Sequence, residues 1–167
     1  DIAAPYLHEL SEEIKETVHL AVLDNQEVVT IKKMDGGQIV KVDTKVGRRY
    51  PSYACALGKV LLAGLSELEF KKVMEGVTFI PRTANTITNL SALTEELDRV
   101  RKQGYAYEDE ESFPGICCLA APVKNYKGRV LAAVSATVPK QRMDVSKLNE
   151  ITGEIKECGE KISNQIG

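Results

Sequence analysis

No stretch of this 167-residue chain is apolar for long enough to cross a bilayer: the longest apolar runs, at residues 60–65 and 116–123, fall far short of the ~20 residues a spanning helix needs. An excess of charge is also missing, since 22 Lys and Arg stand against 24 Asp and Glu for a net charge of -2. That balance offers no general attraction to phosphate backbones or anionic membranes, so neither DNA nor membrane is an expected partner of this piece alone. The opening Asp1-Ile2-Ala3-Ala4-Pro5 has no basic stretch followed by an apolar one, so no secretory leader is expected. The four cysteines, Cys55, Cys117, Cys118 and Cys158, lack both CxxC spacing and the density of a disulfide scaffold. His8 and His19 are the only histidines and lie far from those thiols in sequence, so no metal and no cofactor are expected, and a reducing cytoplasm fits best.

What is present is enough apolar material, 43% of residues, to close one ordinary core, and residues 1–167 read as a single domain. Leu7, Leu10 and Ile14 mark an amphipathic helix over residues 5–15. Two strands at 17–23 and 28–34 flank the turn Asp24-Asn25, and a third is expected at 39–42; Gly47 and Pro51 then end regular structure. Ser52 is the expected N-cap of a helix over 54–64, with another over 67–74, both partly buried. Leu90, Leu93, Leu97 and Val100 mark a helix closed by Gly104, followed by strands at 105–109, 116–123 and 130–138. Leu148, Ile151, Ile155, Cys158, Ile162 and Ile166 form the stripe of a long closing helix. Helix, strands, helices, strands, helix is not a βαβ alternation, so the expected class is α+β on one antiparallel sheet.

The last strand is expected to place Leu131, Ala133, Ser135 and Thr137 on one face and Val130, Ala132, Val134, Ala136 and Val138 on the other. The second face is core. The first joins small side chains to two hydroxyls, which either leave room and hydrogen bonds for a ligand or merely satisfy backbone and solvent. Cys118 and Ala120 share one face of the preceding strand, opposite Cys117 and Leu119; such vicinal cysteines are either small buried apolar groups or reactive thiols. Residues 108–111 are four acids in succession, a solvated strand end unless one carboxylate turns inward to accept from a hydroxylated ligand. The small residues at Ala54-Cys55-Ala56-Leu57-Gly58 open a helix whose free N–H groups would suit a carboxylate, or simply allow close packing. Gly58-Lys59 lacks the other glycines and the Ser or Thr of a phosphate loop.

Gly47-Arg48-Arg49-Tyr50-Pro51 followed by Ala56-Leu57-Gly58-Lys59-Val60-Leu61-Leu62-Ala63 resembles the signature of IclR-type transcription regulators. Gln103-Gly104-Tyr105-Ala106, Asp109-Glu110-Glu111, residues 115–123 and Ala132-Ala133-Val134-Ser135 match the family's second half, and His19-Leu20-Ala21-Val22 its first hairpin. The resemblance implies a GAF-like fold, a curved antiparallel sheet of about six strands flanked by helices, with an effector on the concave side. It also implies that an N-terminal winged helix-turn-helix, which reads operator DNA in full-length members, is absent from this chain. Carried over residue by residue, the effector-binding positions are Ala56, Leu57, Glu108, Cys118, Ser135 and Thr137. Aspartate is commoner at the position of Glu108, so Asp109 is the alternative contact; serine is commoner at that of Thr137.

The Gly47-Arg48-Arg49 motif with Pro51, Glu75-Gly76-Val77 and Thr86-Ile87-Thr88 is similar to regulators of pectin breakdown that answer to 2-keto-3-deoxygluconate. The resemblance thus implies a non-enzymatic sensor of a small organic acid of the 2-keto-3-deoxygluconate, pyruvate or glyoxylate type, self-associating as dimer or tetramer and acting as repressor or activator. Its carboxylate is expected at the helix start and near Ser135 and Thr137, its hydroxyls at Glu108. The rival readings are a small cytosolic enzyme using Cys118 as nucleophile or redox centre, and a structural dimerisation module whose cup is filled by its own side chains.

Overall fold

The computed structural model describes residues 1–38 and 44–167, so the strand expected at 39–42 lies outside the described residues. Period-2 alternation produces the sheet: β1 (Thr17–Asp24), β2 (Glu27–Met34), β3 (Arg49–Pro51), β4 (Ala106–Asp109), β5 (Ile116–Lys124) and β6 (Val130–Pro139). They form one curled six-stranded sheet in the order β3-β2-β1-β6-β5-β4, every neighbouring pair antiparallel. The expected α+β class and about six strands are therefore present. The third described strand is Arg49–Pro51, where glycine and proline were expected to end regular structure; its three residues pair with Glu27, Val28 and Val29 at the sheet's edge, a place that tolerates proline.

Five α-helices among the described residues cover both faces. α1 (Ala4–Ile14), with proline in its first turn, and α5 (Val145–Ile166), capped by the Asp144 side chain on the Lys147 N–H, lie on one face. Leu7, Leu10, Ile14, Ile151, Ile155 and Ile162 bury there against Val18, Leu20, Leu119, Val134 and Val138. Gly159 lets α5 cross β5 closely, because a Cβ there would stand 2.6 Å from the Pro122 carbonyl oxygen. On the other face lie α2 (Ala56–Ala63), α3 (Glu67–Val73) and α4 (Leu90–Gln103). Asn89 caps α4 and Gly104, at φ 81°, closes it as expected.

Three further expectations need correcting. Ser52 does not cap α2: it opens a 3-10 turn, Ser52–Ala54, and Cys55 stands at the helix N-cap. Of the two helices expected to be partly buried, α3 is so, with Phe70 and Val73 packed on the core and its Ser66–Glu69 capping box outside, whereas α2 is buried throughout because it lies between sheet and α4. Val130 packs with the α2 side rather than with Val134 and Val138, because a bulge at Val123/Lys124 skips Leu131 in the register. The helix α2 sits on a patch of small strand residues, Ala21, Ala106, Ala120 and Ala133; beyond that patch, towards Ser135 and Thr137, a hollow opens.

Candidate functional site

The hollow has a cavity volume of about 60 Å³, and it is bounded by the sheet, the start of α2 and the β4–β5 loop. Register assembles its floor. Glu108 pairs with Cys118 and Cys118 with Thr137, one row across β4, β5 and β6; Ala120 pairs with Ser135 and Ser135 with His19, the next row. Of the seven residues singled out in the sequence, Ala56, Leu57, Glu108, Cys118, Ser135 and Thr137 line the space. Asp109 does not, since strand alternation turns it to the opposite side, where its carboxylate meets Lys140 Nζ at 2.7 Å and the Cys117 thiol at 3.4 Å.

Glu108 is fully buried. Its Oε1 accepts from the Ala56 N–H (3.3 Å) and its Oε2 from the Ser112 N–H (3.0 Å), while the Ser112 hydroxyl donates to the Ala54 carbonyl (2.6 Å). Burial pushes the Glu108 carboxyl up to about 7; Glu111 adds to this, and the two amides and Lys59 only partly offset it. The helix start is therefore less open than expected: the first N–H of α2 already carries the protein's own carboxylate.

Lys59, one turn into α2, is fully buried between Glu96 (2.8 Å) and Glu111 (2.7 Å). Burial pulls its pKa down, but Glu111 and Glu96 outweigh burial and hold it above the usual lysine value. This cation ties α2 to α4 and to the acidic run, and it does not line the hollow. Gly58 beside it is obligatory, because a Cβ would fall 1.9 Å from the Ser52 carbonyl oxygen.

Ser135 is 1% exposed, and its hydroxyl has no hydrogen-bond partner. The other such atoms among the described residues are the Ser52 hydroxyl and Glu111 Oε1, the latter ion-paired with Lys59, and neither residue lines the hollow. Thr137 Oγ1 lies 3.4 Å from His19 Nδ1 and 3.5 Å from Cys118 Sγ, and His19 Nε2 meets the Thr44 hydroxyl. Burial, with Lys33 adding, drives the His19 pKa down to about 4, so the ring is neutral near pH 7. Cys118 goes the other way: burial, then the Glu108 charge, raises its thiol pKa well above the usual value. A thiol so disfavoured as thiolate is a poor nucleophile, and no base hydrogen-bonds it among the described residues.

Sequence reasoning missed His19, Thr30, Thr44, Tyr50, Ser112 and Phe113, which with Cys55 and Ile116 complete the lining. The one signal for His19 was its place in the first hairpin, two residues from Ala21; its pairing with Ser135 is a long-range fact that no local pattern carries. No group of three metal-ligating side chains occurs among the described residues, nor any helix long and apolar enough to cross a membrane.

The family model described as "Bacterial transcriptional regulator IclR C-terminal" matches residues 1–164. The chain belongs to the IclR C-terminal family. As an IclR C-terminal domain it is 40% identical over 161 residues to the HTH-type transcriptional regulator KdgR of Escherichia coli, covering 96% of this chain and 61% of KdgR. The crystal structure of the C-terminal domain of E. coli KdgR superposes with a TM-score of 0.91 at 39% identity, over 99% of this chain and 96% of that one. The inducer-binding domain of the PobR transcription factor from Acinetobacter, a double mutant in complex with 3-hydroxybenzoic acid, matches with a TM-score of 0.89 at 26% identity, over 99% and 97% of the two chains. These relatives are transcription regulators, not enzymes, and the chain spans about three fifths of the length of KdgR.

Proposed function

We propose that this IclR C-terminal domain senses a small organic acid in the hollow beside α2, in a cytoplasmic regulator whose N-terminal winged helix-turn-helix reads operator DNA. The observation that carries the reading is the Ser135 hydroxyl, buried without a partner on the wall of that hollow. A buried hydroxyl left unsatisfied costs about 1–3 kcal/mol, a debt that a bound ligand cancels. Neighbouring polar groups, Thr137, neutral His19 and Glu108, face the same space, which the lining residues leave open. A cup filled by its own atoms, as a purely structural module needs, is not what this lining resembles.

The acid shifts the relative placement of self-associated subunits, and with them the DNA-reading domains. It must bind the DNA-competent and DNA-incompetent arrangements with different affinity, because equal affinity moves nothing. The resemblance to KdgR supports 2-keto-3-deoxygluconate as effector, with pyruvate and glyoxylate as the shorter acids of the same class. Thermal denaturation with each of these three acids tests the reading: the melting temperature rises with ligand concentration beyond the dissociation constant for at least one of them. Absence of any rise with all three overturns it.

A further inference from the structure

The turn that follows β4 is held in an unusual backbone conformation, with Glu110 in the left-handed region at φ 54°. A glutamate stays there only where its surroundings fix it. One short segment of the connection before α4 does so. The Asn85 side-chain amide donates to the Asp109 carbonyl (3.0 Å), the Thr83 hydroxyl to the Glu110 carbonyl (2.6 Å) and the Thr86 hydroxyl to the Glu111 carbonyl (2.7 Å). Successive carbonyls of the turn are thus bound by side chains of residues 83–86. Thr86 is buried, and its hydroxyl oxygen also accepts from the Arg82 and Thr83 N–H groups (3.0 Å each), which folds the segment around it.

The other side of the same turn faces the hollow. The Ser112 N–H donates to Glu108 Oε2 (3.0 Å), the Ser112 hydroxyl donates to the Ala54 carbonyl (2.6 Å), and Phe113 lines the space against Tyr50. The Glu111 carbonyl and the Ser112 N–H belong to one peptide group. That group is planar and trans, so its oxygen and its hydrogen point in opposite directions and turn together. Thr86 holds the oxygen, and Glu108 accepts from the hydrogen. A bond to the carbonyl also polarises the peptide and makes its N–H the better donor.

We infer that Thr86, which does not line the hollow, is a positioning residue for the effector: through the Glu111–Ser112 peptide it aims the Ser112 N–H, and with it the Glu108 carboxylate on the hollow's wall. The inference rests on the sensor reading above and deepens it, because it adds a residue outside the lining that sets the lining's geometry. Lys59 anchors Glu111 independently, by its side chain (2.7 Å), and shares that role with Glu96 on α4 (2.8 Å). Stability and positioning are therefore separable: losing Glu96 loosens the buried ion pair and leaves the Thr86 bond to the peptide in place.

Titration calorimetry with 2-keto-3-deoxygluconate, pyruvate and glyoxylate, together with amide hydrogen exchange, tests this on the wild type, Thr86→Val, Thr86→Ser and Glu96→Gln. Valine keeps the shape of Thr86 and removes its hydroxyl. In Thr86→Val the acid that the wild type binds is held about tenfold more weakly, and the Ser112 amide exchanges about tenfold faster. Thr86→Ser restores both to within about twofold. Glu96→Gln lowers the denaturation midpoint and leaves both readouts at the wild-type level, which a merely stabilising role for Thr86 does not predict. Should Thr86→Val fail to fold, Thr83→Val, which loses the neighbouring bond to Glu110 and keeps Thr86, shows the same two effects at about threefold. Wild-type affinity or wild-type exchange in the valine variants, or an equal weakening in Glu96→Gln, overturns the inference and leaves the sensor reading standing. Failure of the wild type to bind any of the three acids overturns the sensor reading, and with it the inference.

Discussion

The two faces of the sheet are built from the same strands and serve opposite ends. Along β5 and β6, Leu119, Ala121, Val134, Ala136 and Val138 turn to α1 and α5 and are completely filled in by Leu7, Ile14, Ile151 and Ile155. The alternate residues, Cys118, Ser135 and Thr137, turn to the α2 side, where small alanines let the helix dock at one end and leave at the other a mainly apolar hollow with a few polar groups. One residue of shift along a strand therefore separates a position that holds the fold from one that faces a ligand. The solid face stabilises a sheet that carries an unfilled, partly unsatisfied wall on its reverse.

Leu119→Ala breaks this comparison hardest. The residue is fully buried on the solid face and pairs in register with Ala136, next to Ser135. Its truncation costs about 2–5 kcal/mol, read as a lower denaturation midpoint. Ligand affinity of the protein that stays folded is unchanged; a loss of affinity as large as the loss of stability would mean that the faces are not independent.

A pH titration sharpens the contrast inside the hollow. Glu108 has its folded pKa raised from 4.5 to about 7, so the folded state holds the proton better; stability from this group is full below about pH 4.5 and is lost as pH rises towards 7. His19 has its folded pKa lowered from 6.5 to about 4, so its contribution is full above pH 6.5 and is lost as pH falls towards 4. Each amounts to about 3 kcal/mol, and between about pH 4.5 and 6.5 the two slopes oppose. Wild-type melting is accordingly nearly flat over that interval, Glu108→Gln loses stability on acidification, and His19→Gln gains it. Parallel profiles for the three proteins would show that neither group titrates as its burial requires.

The solid face was the more legible one in the sequence. Stripes at helical spacing locate α1 and α5, and alternation in residues 116–123 and 130–138 separates Leu119 and Val134 from Cys118 and Ser135 without any coordinates. The hollow was legible where one strand sufficed, at Ser135 and Thr137, and where family resemblance named a position, at Ala56 and Glu108. It was illegible where pairing decides. Glu108 and Asp109 point opposite ways, but which one faces inward depends on the register that sets Glu108 against Cys118. Tyr50 reaches the site from a three-residue edge strand too short to leave a periodic signal. Nor could spacing show that Glu108, 52 residues away, would occupy the first N–H of α2.

Ser135→Ala carries the smallest effect on stability and bears most directly on the division of labour. In a well-satisfied core, losing a serine hydroxyl destabilises by about 0.5–1.5 kcal/mol, because a hydrogen bond goes with it. Here the hydroxyl is buried with nothing to bond, so alanine removes an unsatisfied group and the denaturation midpoint stays level or rises slightly. The same substitution weakens effector binding, since the ligand loses the partner that made the hydroxyl worth burying. Unfolding in denaturant gives the first quantity and calorimetry the second. A protein that loses stability without losing affinity would make Ser135 an ordinary core residue and extend the solid face through the sheet.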